Sequence, residues 1–255
     1  MAGAHPVLET RGLTIRFGGH VAVNAVSCRF EPGTLTAIVG PNGAGKTTYF
    51  NLISGQLPAS SGQVLLYGED VTRDAAPIRT RKGMGRAFQL TNLFPRLSVF
   101  ENVRLAIQSA AGVHYDMLQP WMRRTDLIER ADMVLERVAL THRRDSAAAA
   151  LSHGDQRKLE VALMIALEPK IFMFDEPTAG MSVDEVPTVL AIIAAIKARG
   201  DKTILLVEHK MDVVRQLSDR IVVLHQGKLV ADGKPAEVIN SDIVREAYLG
   251  GAADA

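Results

Sequence analysis

The sequence feature that most constrains the fold is a nine-residue segment, GPNGAGKTT, at positions 40–48. It fits the pattern G-x-x-x-x-G-K-[ST], in which glycines allow backbone N–H groups to turn inward and approach polyphosphate oxygens closely. An apolar run at 35–39 precedes the segment, and residues 49–54 continue it with helical spacing. The sequence therefore predicts an α/β fold in which a strand, a phosphate-binding loop and a helix follow one another.

Three properties of this phosphate loop (residues 40–48) favour a bound nucleoside triphosphate. Lys46 supplies a positive charge for the outer phosphates, Thr47 offers a hydroxyl to Mg²⁺, and the helix that starts here points its positive end at the anion. We expect the whole loop to contact the nucleotide: Gly40, Pro41, Asn42, Gly43, Ala44, Gly45, Lys46, Thr47 and Thr48.

A second motif, IFMFDE at residues 171–176, places two carboxylates at the end of an apolar strand. Ligands of α/β folds bind at the carboxyl ends of the strands. Adjacent acids after a strand also occur as plain structural residues, but downstream of a phosphate loop they indicate a catalytic pair. Asp175 is predicted to hold Mg²⁺ and Glu176 to polarise the attacking water.

The third motif is LSHGD at residues 151–155, which we call the signature segment, and a helical pattern follows it. In one interpretation Ser152 simply caps that helix. In the other, the Ser152 hydroxyl, the Gly154 N–H and the positive helix end form a second anion site. Two single polar residues, Gln89 and His209, each follow an apolar strand, and either alone is typical of a structural residue.

The periodicity of the chain divides it into β-rich and helical parts. Strand patterns occur at 7–16, 21–30 and 34–39, with Gly12, the Gly18-Gly19 pair and the Pro32-Gly33 turn among them, which predicts hairpins leading into the phosphate loop; a further strand is predicted at 63–67, after the helix. Residues 98–166 follow helical spacing from the capping box Ser98-x-x-Glu101, and strand–helix alternation then resumes. We expect one domain over residues 1–255, with a helical subdomain at about 98–166.

Composition excludes several classes of protein. The net charge of +1 shows no excess of basic residues, so sequence-independent binding to nucleic acid has little electrostatic support. The single cysteine, Cys28, excludes an internal disulfide; it fits a reducing compartment or simply a small buried hydrophobe. The N-terminus lacks a secretory pattern, and no apolar run approaches the ~18 residues that span a bilayer. We therefore expect a protein that faces the cytosol.

Because the phosphate loop, Gln89, LSHGD, FMFDEP and VEH occur in family order, the chain resembles the ATP-binding subunits of ABC transporters over residues 8–250. The resemblance implies a P-loop NTPase fold, the ABC-type nucleotide-binding domain, with an antiparallel β subdomain and an inserted helical subdomain. It implies ATP and Mg²⁺ as cofactors and adenine stacking on Phe17. It also implies that Gln89 links Mg²⁺ and water to the membrane partner and that His209 senses the γ-phosphate.

The same resemblance implies a head-to-tail dimer, in which Ser152 and Gly154 of one subunit face the phosphate loop of the other. Some positions depart from the family pattern. The signature is more often LSGGQ, and the aromatic residue at Phe17 is more often tyrosine. Ser182 stands where many members have aspartate, and its hydroxyl cannot reproduce that charge. Communication between the two nucleotide sites is therefore in question for this chain.

Four segments resemble branched-chain amino acid importers most: FGG at 17–19, AFQLTNLF at 87–94, GDQRKLE at 154–160 and AYLG at 247–250. Urea importers and lipopolysaccharide export ATPases have similar loops and ends. The expected partners are transmembrane permease subunits, a second ATP-binding subunit of the same or a different kind and, indirectly, a periplasmic solute-binding protein, with no nucleic acid. The expected location is peripheral, on the cytoplasmic face of the inner membrane.

Two alternatives remain. A soluble ABC-type ATPase that takes no part in transport would share all five motifs. The near-neutral net charge and the single nucleotide-binding domain disfavour a role on nucleic acid or the ribosome. The lack of a long heptad region disfavours the ABC-type ATPases that act on DNA strand breaks and chromosomes. The iron–sulfur assembly type stays open. An unrelated phosphate-loop kinase or GTPase would explain neither LSHGD nor His209.

Overall fold

The computed structural model describes residues 6–87, 93–112, 124–241 and residue 244. The strands β1 to β10 are, in chain order, Leu8–Phe17, His20–Phe30, Leu35–Val39, Ser61–Leu66, Glu69–Asp70, Met84–Ala87, Ile171–Asp175, Thr203–Val207, Arg220–His225 and Lys228–Gly233. The helices α1 to α8 are Lys46–Ser54, Ala76–Arg81, Val99–Ala110, Thr125–Arg137, His153–Leu167, Val186–Ala198, Met211–Leu217 and Pro235–Val238. Short 3₁₀ turns occur at Thr141–Arg143 and Ala148–Ala150.

The chain forms two compact units. The first comprises Met1–Met84, Lys170–Glu176 and Lys197–Ala255, and the second comprises Gly85–Pro169 and Pro177–Ile196. The first unit therefore contains the phosphate loop and both carboxylates of the IFMFDE motif. The second contains the signature segment and the whole stretch from 98 to 166 that the sequence predicts to be helical.

The antiparallel sheet of the first unit has the strand order β2-β1-β4-β5. Its β1–β2 hairpin closes at the pair Phe17 and His20, so the Gly18-Gly19 turn is confirmed. Gly12 lies inside β1. Its φ is +54°, and the register between β1 and β2 shifts there. A bulge of this kind needs a backbone conformation that glycine adopts at little cost.

The second sheet follows the order β10-β9-β3-β8-β7-β6. Strands β9, β3, β8 and β7 are parallel, and β10 pairs antiparallel with β9. Every residue of β3, β7 and β8 is buried, as expected for the interior of a parallel sheet. The expectation of a second hairpin before the phosphate loop was wrong, because β2 and β3 belong to different sheets and the Pro32-Gly33 turn joins them.

Helix α3 of the second unit begins where the sequence predicts a cap. The Ser98 hydroxyl accepts the Glu101 N–H at 3.1 Å, so the capping box that opens α3 is confirmed at that bond. Helices α3, α4 and α5 contact one another through apolar faces such as that of Leu127, Ala131 and Leu135. The sequence predicts a helix from Thr125 to Leu140, whereas α4 ends three residues earlier, at Arg137. Among the described residues, no helix is both long and apolar enough to cross a membrane.

A buried guanidinium caps the C-terminus of α1, the helix that follows the phosphate loop. Arg79, only 2% exposed, donates from Nη1 to the carbonyls of Leu52 at 2.8 Å and Ile53 at 2.6 Å. Its Nε donates to the carbonyl of Asp74 and its Nη2 to that of Thr72, both at 2.9 Å. Burial lowers the pKa of Arg79, and the nearby Asp74 carboxylate opposes that shift. A cation at this end complements the helix dipole.

Replacing Arg79 by methionine should therefore destabilise the first unit. Four carbonyls lose their donor, two of them buried and two partly buried, and the expected loss is about 3 kcal/mol of unfolding free energy. Urea denaturation followed by circular dichroism measures it. Arg81→Met is the matched control, because Arg81 lies in the same helix with an exposed side chain. Equal losses for the two variants would show that Arg79 carries no special stabilising role.

The single cysteine of the chain is buried in β2. Cys28 is 5% exposed, and Nη2 of Arg220 lies 3.7 Å from its sulfur. Burial raises the pKa of the Cys28 thiol to about 12, although the Arg220 charge acts in the opposite direction. Below pH 9 the buried thiol therefore favours the folded state, and this contribution is lost as the pH rises towards about 12.

The same pKa predicts that Cys28 reacts slowly in the native chain. At pH 8 its thiolate fraction should be about a thousandfold smaller than that of an unfolded chain with a pKa of 9.0. Labelling with a chromogenic disulfide reagent, with and without guanidinium chloride, measures the ratio without interference from any second thiol. Similar rates in the two solutions would contradict the buried position.

Candidate nucleotide-binding site

Glycines shape the phosphate loop for two different reasons. Gly40, Gly43 and Gly45 have φ values of +151°, +77° and +93°. A Cβ on Gly40 would lie 2.1 Å from the carbonyl oxygen of Leu224, and one on Gly45 would lie 2.5 Å from that of Ala22. No neighbouring atom restricts a Cβ on Gly43, so there the left-handed backbone alone requires glycine.

The turn between β9 and β10 braces the loop. The N–H of Gly227 donates to the Ala44 carbonyl at 3.0 Å, and the Gly227 carbonyl accepts the N–H of Asn24 at 2.8 Å. A Cβ on Gly227 would lie 2.7 Å from the carbonyl oxygen of Ala22. The sequence pattern predicts only a hairpin turn at Gln226-Gly227 and gives no sign of this support, because the partners are about 180–200 positions apart in the chain.

Lys46 places its charge inside the loop. Its side chain is buried, and Nζ donates to the carbonyls of Gly40 at 2.7 Å and Pro41 at 3.0 Å. Burial lowers the pKa of Lys46, while the carboxylates of Glu176 and Asp175 counteract this shift. Lys46 is thus the cation in a cluster that also holds two acids, as the order of motifs predicts.

The two acids stand at the end of β7 in different environments. Asp175 is 7% exposed, whereas the Glu176 side chain is about 40% exposed. The Glu176 backbone has a φ of +49°, and its N–H donates to the Val207 carbonyl at 2.9 Å. A residue other than glycine in this conformation carries strain of about 1–3 kcal/mol, and such residues concentrate at functional sites.

The structure brings His209 and Glu176 together. Nδ1 of His209 lies 3.9 Å from Oε1 of Glu176 and 3.7 Å from Oε2 of Glu208. The Glu208 carboxylate is fully buried and accepts the backbone N–H groups of His209 at 2.8 Å and Lys210 at 3.1 Å. It therefore orients the segment that carries His209. Sequence reasoning missed Glu208, although a carboxylate directly before the histidine was visible in the VEH motif.

Three further predicted site residues, Phe17, Thr47 and Thr48, belong to the first unit. Phe17 ends β1 and is 50% exposed, which leaves its ring available for stacking. Thr47 and Thr48 are in the first turn of α1 and partly buried. Gln89 lies outside the described residues.

The signature segment forms the start of α5 in the second unit. The Ser152 hydroxyl accepts the Asp155 N–H at 3.1 Å, which confirms the N-cap interpretation. The Asp155 carboxylate pairs with Lys158 at 3.1 Å and with Arg143 at 3.6 Å. Gly154 is buried in the first turn of the helix. The anion-binding role of Ser152 and Gly154 stays a prediction.

The fold and the phosphate loop define a P-loop nucleoside triphosphatase. The family model described as ABC transporter matches residues 23–179, and the model described as branched-chain amino acid ATP-binding cassette transporter matches residues 228–254. The chain belongs to the ATP-binding proteins of the ABC transporter family. It is accordingly an ATPase.

Several curated proteins are similar over nearly the whole chain. The high-affinity branched-chain amino acid transport ATP-binding protein BraF of Pseudomonas aeruginosa is 38% identical over 98% of this chain and 100% of its own. LivG of Escherichia coli, described in the same words, matches with the same identity and coverage. The lipopolysaccharide export system ATP-binding protein LptB of Haemophilus influenzae is 31% identical over 96% of this chain and 97% of its own.

A solved structure shares the fold. The ADP conformation of MJ1267, an ATP-binding cassette of an ABC transporter, has a TM-score of 0.80 and 28% sequence identity, and the match covers 96% of this chain and 98% of that one. The predicted fold class, with its antiparallel β sheet and its parallel sheet around a phosphate loop, is confirmed.

Proposed function

We propose that this chain hydrolyses ATP to power the uptake of branched-chain amino acids by an ABC transporter. The observation that carries the hydrolytic part is the cluster of Lys46, Asp175, Glu176 and His209 around the phosphate loop, with His209 and Glu176 3.9 Å apart. The cargo is supported by the 38% identity to BraF and LivG and by the second family match at residues 228–254. The lower identity of 31% to LptB makes lipopolysaccharide export the weaker alternative.

In this proposal each site residue has a separate role in ATP binding or hydrolysis. The backbone N–H groups of the phosphate loop hold the phosphates, and Lys46 turns from the loop carbonyls to the outer phosphates. Glu176 polarises the attacking water, and His209 contacts the γ-phosphate from the Glu176 side. The exposed ring of Phe17 stacks on adenine. Gln89 links the reacting centre to the membrane partner.

The residues present fit a magnesium ion. The Thr47 hydroxyl, the Asp175 carboxylate and the Gln89 amide oxygen are hard oxygen ligands of the kind that Mg²⁺ prefers. Asp175 interacts electrostatically with Lys46, so its carboxylate is close to the phosphate loop. Mg²⁺ bound by these residues would supply positive charge to the phosphate oxygens.

The proposed assembly contains two ATP-binding subunits, of one kind or two, and transmembrane permease subunits at the cytoplasmic face of the inner membrane. A periplasmic solute-binding protein delivers the cargo. Ser152 and Gly154 complete the nucleotide site of the partner subunit, because a serine hydroxyl and a helix N-terminus suit a phosphate. The names of BraF and LivG, which describe transport ATP-binding proteins, support this arrangement.

The test is to capture the tagged chain from detergent-solubilised membranes of the source cell and to identify the copurifying proteins. We expect two multi-span permeases and a second ATPase. With the solute-binding protein added outside, proteoliposomes of this complex should take up labelled leucine but not urea when ATP is inside. A Glu176→Gln complex is the matched control, since it should assemble without supporting uptake. Recovery in the soluble fraction with iron–sulfur assembly or ribosomal proteins would overturn the transport function.

A further inference from the structure

The carboxylate of Glu185 lies against the signature glycine. A Cβ built on Gly154 would be 1.8 Å from Oε1 of Glu185 and 2.4 Å from Oε2, so this carboxylate occupies the space that a side chain at position 154 would need. Gly154 is in the first turn of α5, where the positive end of the helix favours a negative charge. A side chain at position 154 would therefore have to displace the Glu185 carboxylate.

The same carboxylate also holds Ser182. The Ser182 backbone N–H and its hydroxyl both donate to Oε2 of Glu185, at 3.1 and 3.0 Å, and the Glu185 N–H donates to the Ser182 carbonyl at 3.1 Å. The bond from the Ser182 N–H to the Glu185 carboxylate is one of the two bonds of a capping box, the one that the glutamate side chain makes to the cap residue. The pattern S-x-x-E at 182–185, just before α6, provides it. The sequence analysis missed this pattern, although it matches Ser98-x-x-Glu101 in spacing. Glu185 thus brings a carboxylate to Ser182, the position where many family members carry aspartate themselves.

We propose that Glu185 is a positioning residue for ATP hydrolysis. Its carboxylate bonds to Ser182 and packs against Gly154 in the first turn of the signature helix, so that Ser182 and Gly154 keep a fixed separation. The inference rests on the proposed function, because there the signature segment serves the partner subunit's nucleotide. Glu185 touches no reacting atom. It acts by keeping two polar groups in place, and small displacements of such groups lower turnover more than affinity.

The kinetic test uses the assembled ATPase complex. Glu185→Ala should lower kcat about tenfold and change the KM for ATP less than about twofold, because the phosphate loop is left intact. Glu185→Gln should restore much of the rate, since its amide oxygen still accepts the Ser182 bonds. Asp184→Ala is the matched control: it removes the same charge one residue earlier, from an exposed side chain. A kcat for Glu185→Ala no lower than that for Asp184→Ala would overturn the proposal.

A second measurement needs neither partner nor transport. Hydrogen exchange on the isolated chain should show that Glu185→Ala accelerates exchange around residues 152–156 and around 180–186 together, while Asp184→Ala changes neither. Unchanged exchange in the Glu185→Ala chain overturns the inference whatever the function. Linked acceleration of both stretches, together with a complex of the unchanged chain that fails to take up leucine, would instead support the contact and count against the proposed transport function.

Discussion

Replacing Glu176 by glutamine is expected to lower ATP turnover in the assembled complex at least about a hundredfold, while nucleotide binding is retained. The amide keeps the size of the side chain but cannot accept a proton from the attacking water. Glu176 stands in a strained backbone conformation with φ of +49°, and its carboxylate is 3.9 Å from Nδ1 of His209. Steady-state phosphate release measures the loss, and gel filtration with ATP should show a trapped dimer.

Glu168 offers a matched control for this variant. It is also a glutamate with positive φ, +46°, but it ends α5, and its side chain is about 60% exposed. Glu168→Gln should leave turnover unchanged. If Glu176→Gln hydrolysed ATP at the normal rate, the water-activating group would have to be another residue, and the role proposed for Glu176 would be abandoned.

Replacing Lys46 by alanine is expected to weaken ATP binding by the isolated chain at least about a hundredfold. The variant removes the buried positive charge that faces the phosphates. It also leaves the carbonyls of Gly40 and Pro41 without the bonds of 2.7 and 3.0 Å that now hold the loop together. Titration with a fluorescent ATP analogue measures the dissociation constant, and circular dichroism checks that the variant is folded.

Lys228→Ala is the control for this second variant. It removes an equal charge from the same unit, at an exposed position beside the Gly227 turn that braces the loop. Its affinity for the analogue should equal that of the unchanged chain. An unaltered dissociation constant in Lys46→Ala would place the triphosphate elsewhere.

The sequence was sufficient for the parts of this protein that short segments specify. The strand, loop and helix around Lys46 are contiguous, so their pattern can be read directly. The N-caps at Ser98 and Ser152 involve partners three residues away. The order of the motifs indicated the family, because each motif is a short segment whose own residues suit the binding of a phosphate or a water molecule. The roles of the individual site residues remain predictions that the variants above test.

Tertiary structure alone decided which distant segments support those motifs. It placed β3 in the parallel sheet rather than in a hairpin with β2, joined Gly227 to Ala44, set Arg79 under the end of α1 and brought Glu185 to Gly154. Each of these contacts links residues about 25 to 180 positions apart. Local propensity contains no information about such pairs. They arise from the burial of apolar faces, which positions whole elements, and from the need of every buried carbonyl and charge for a partner.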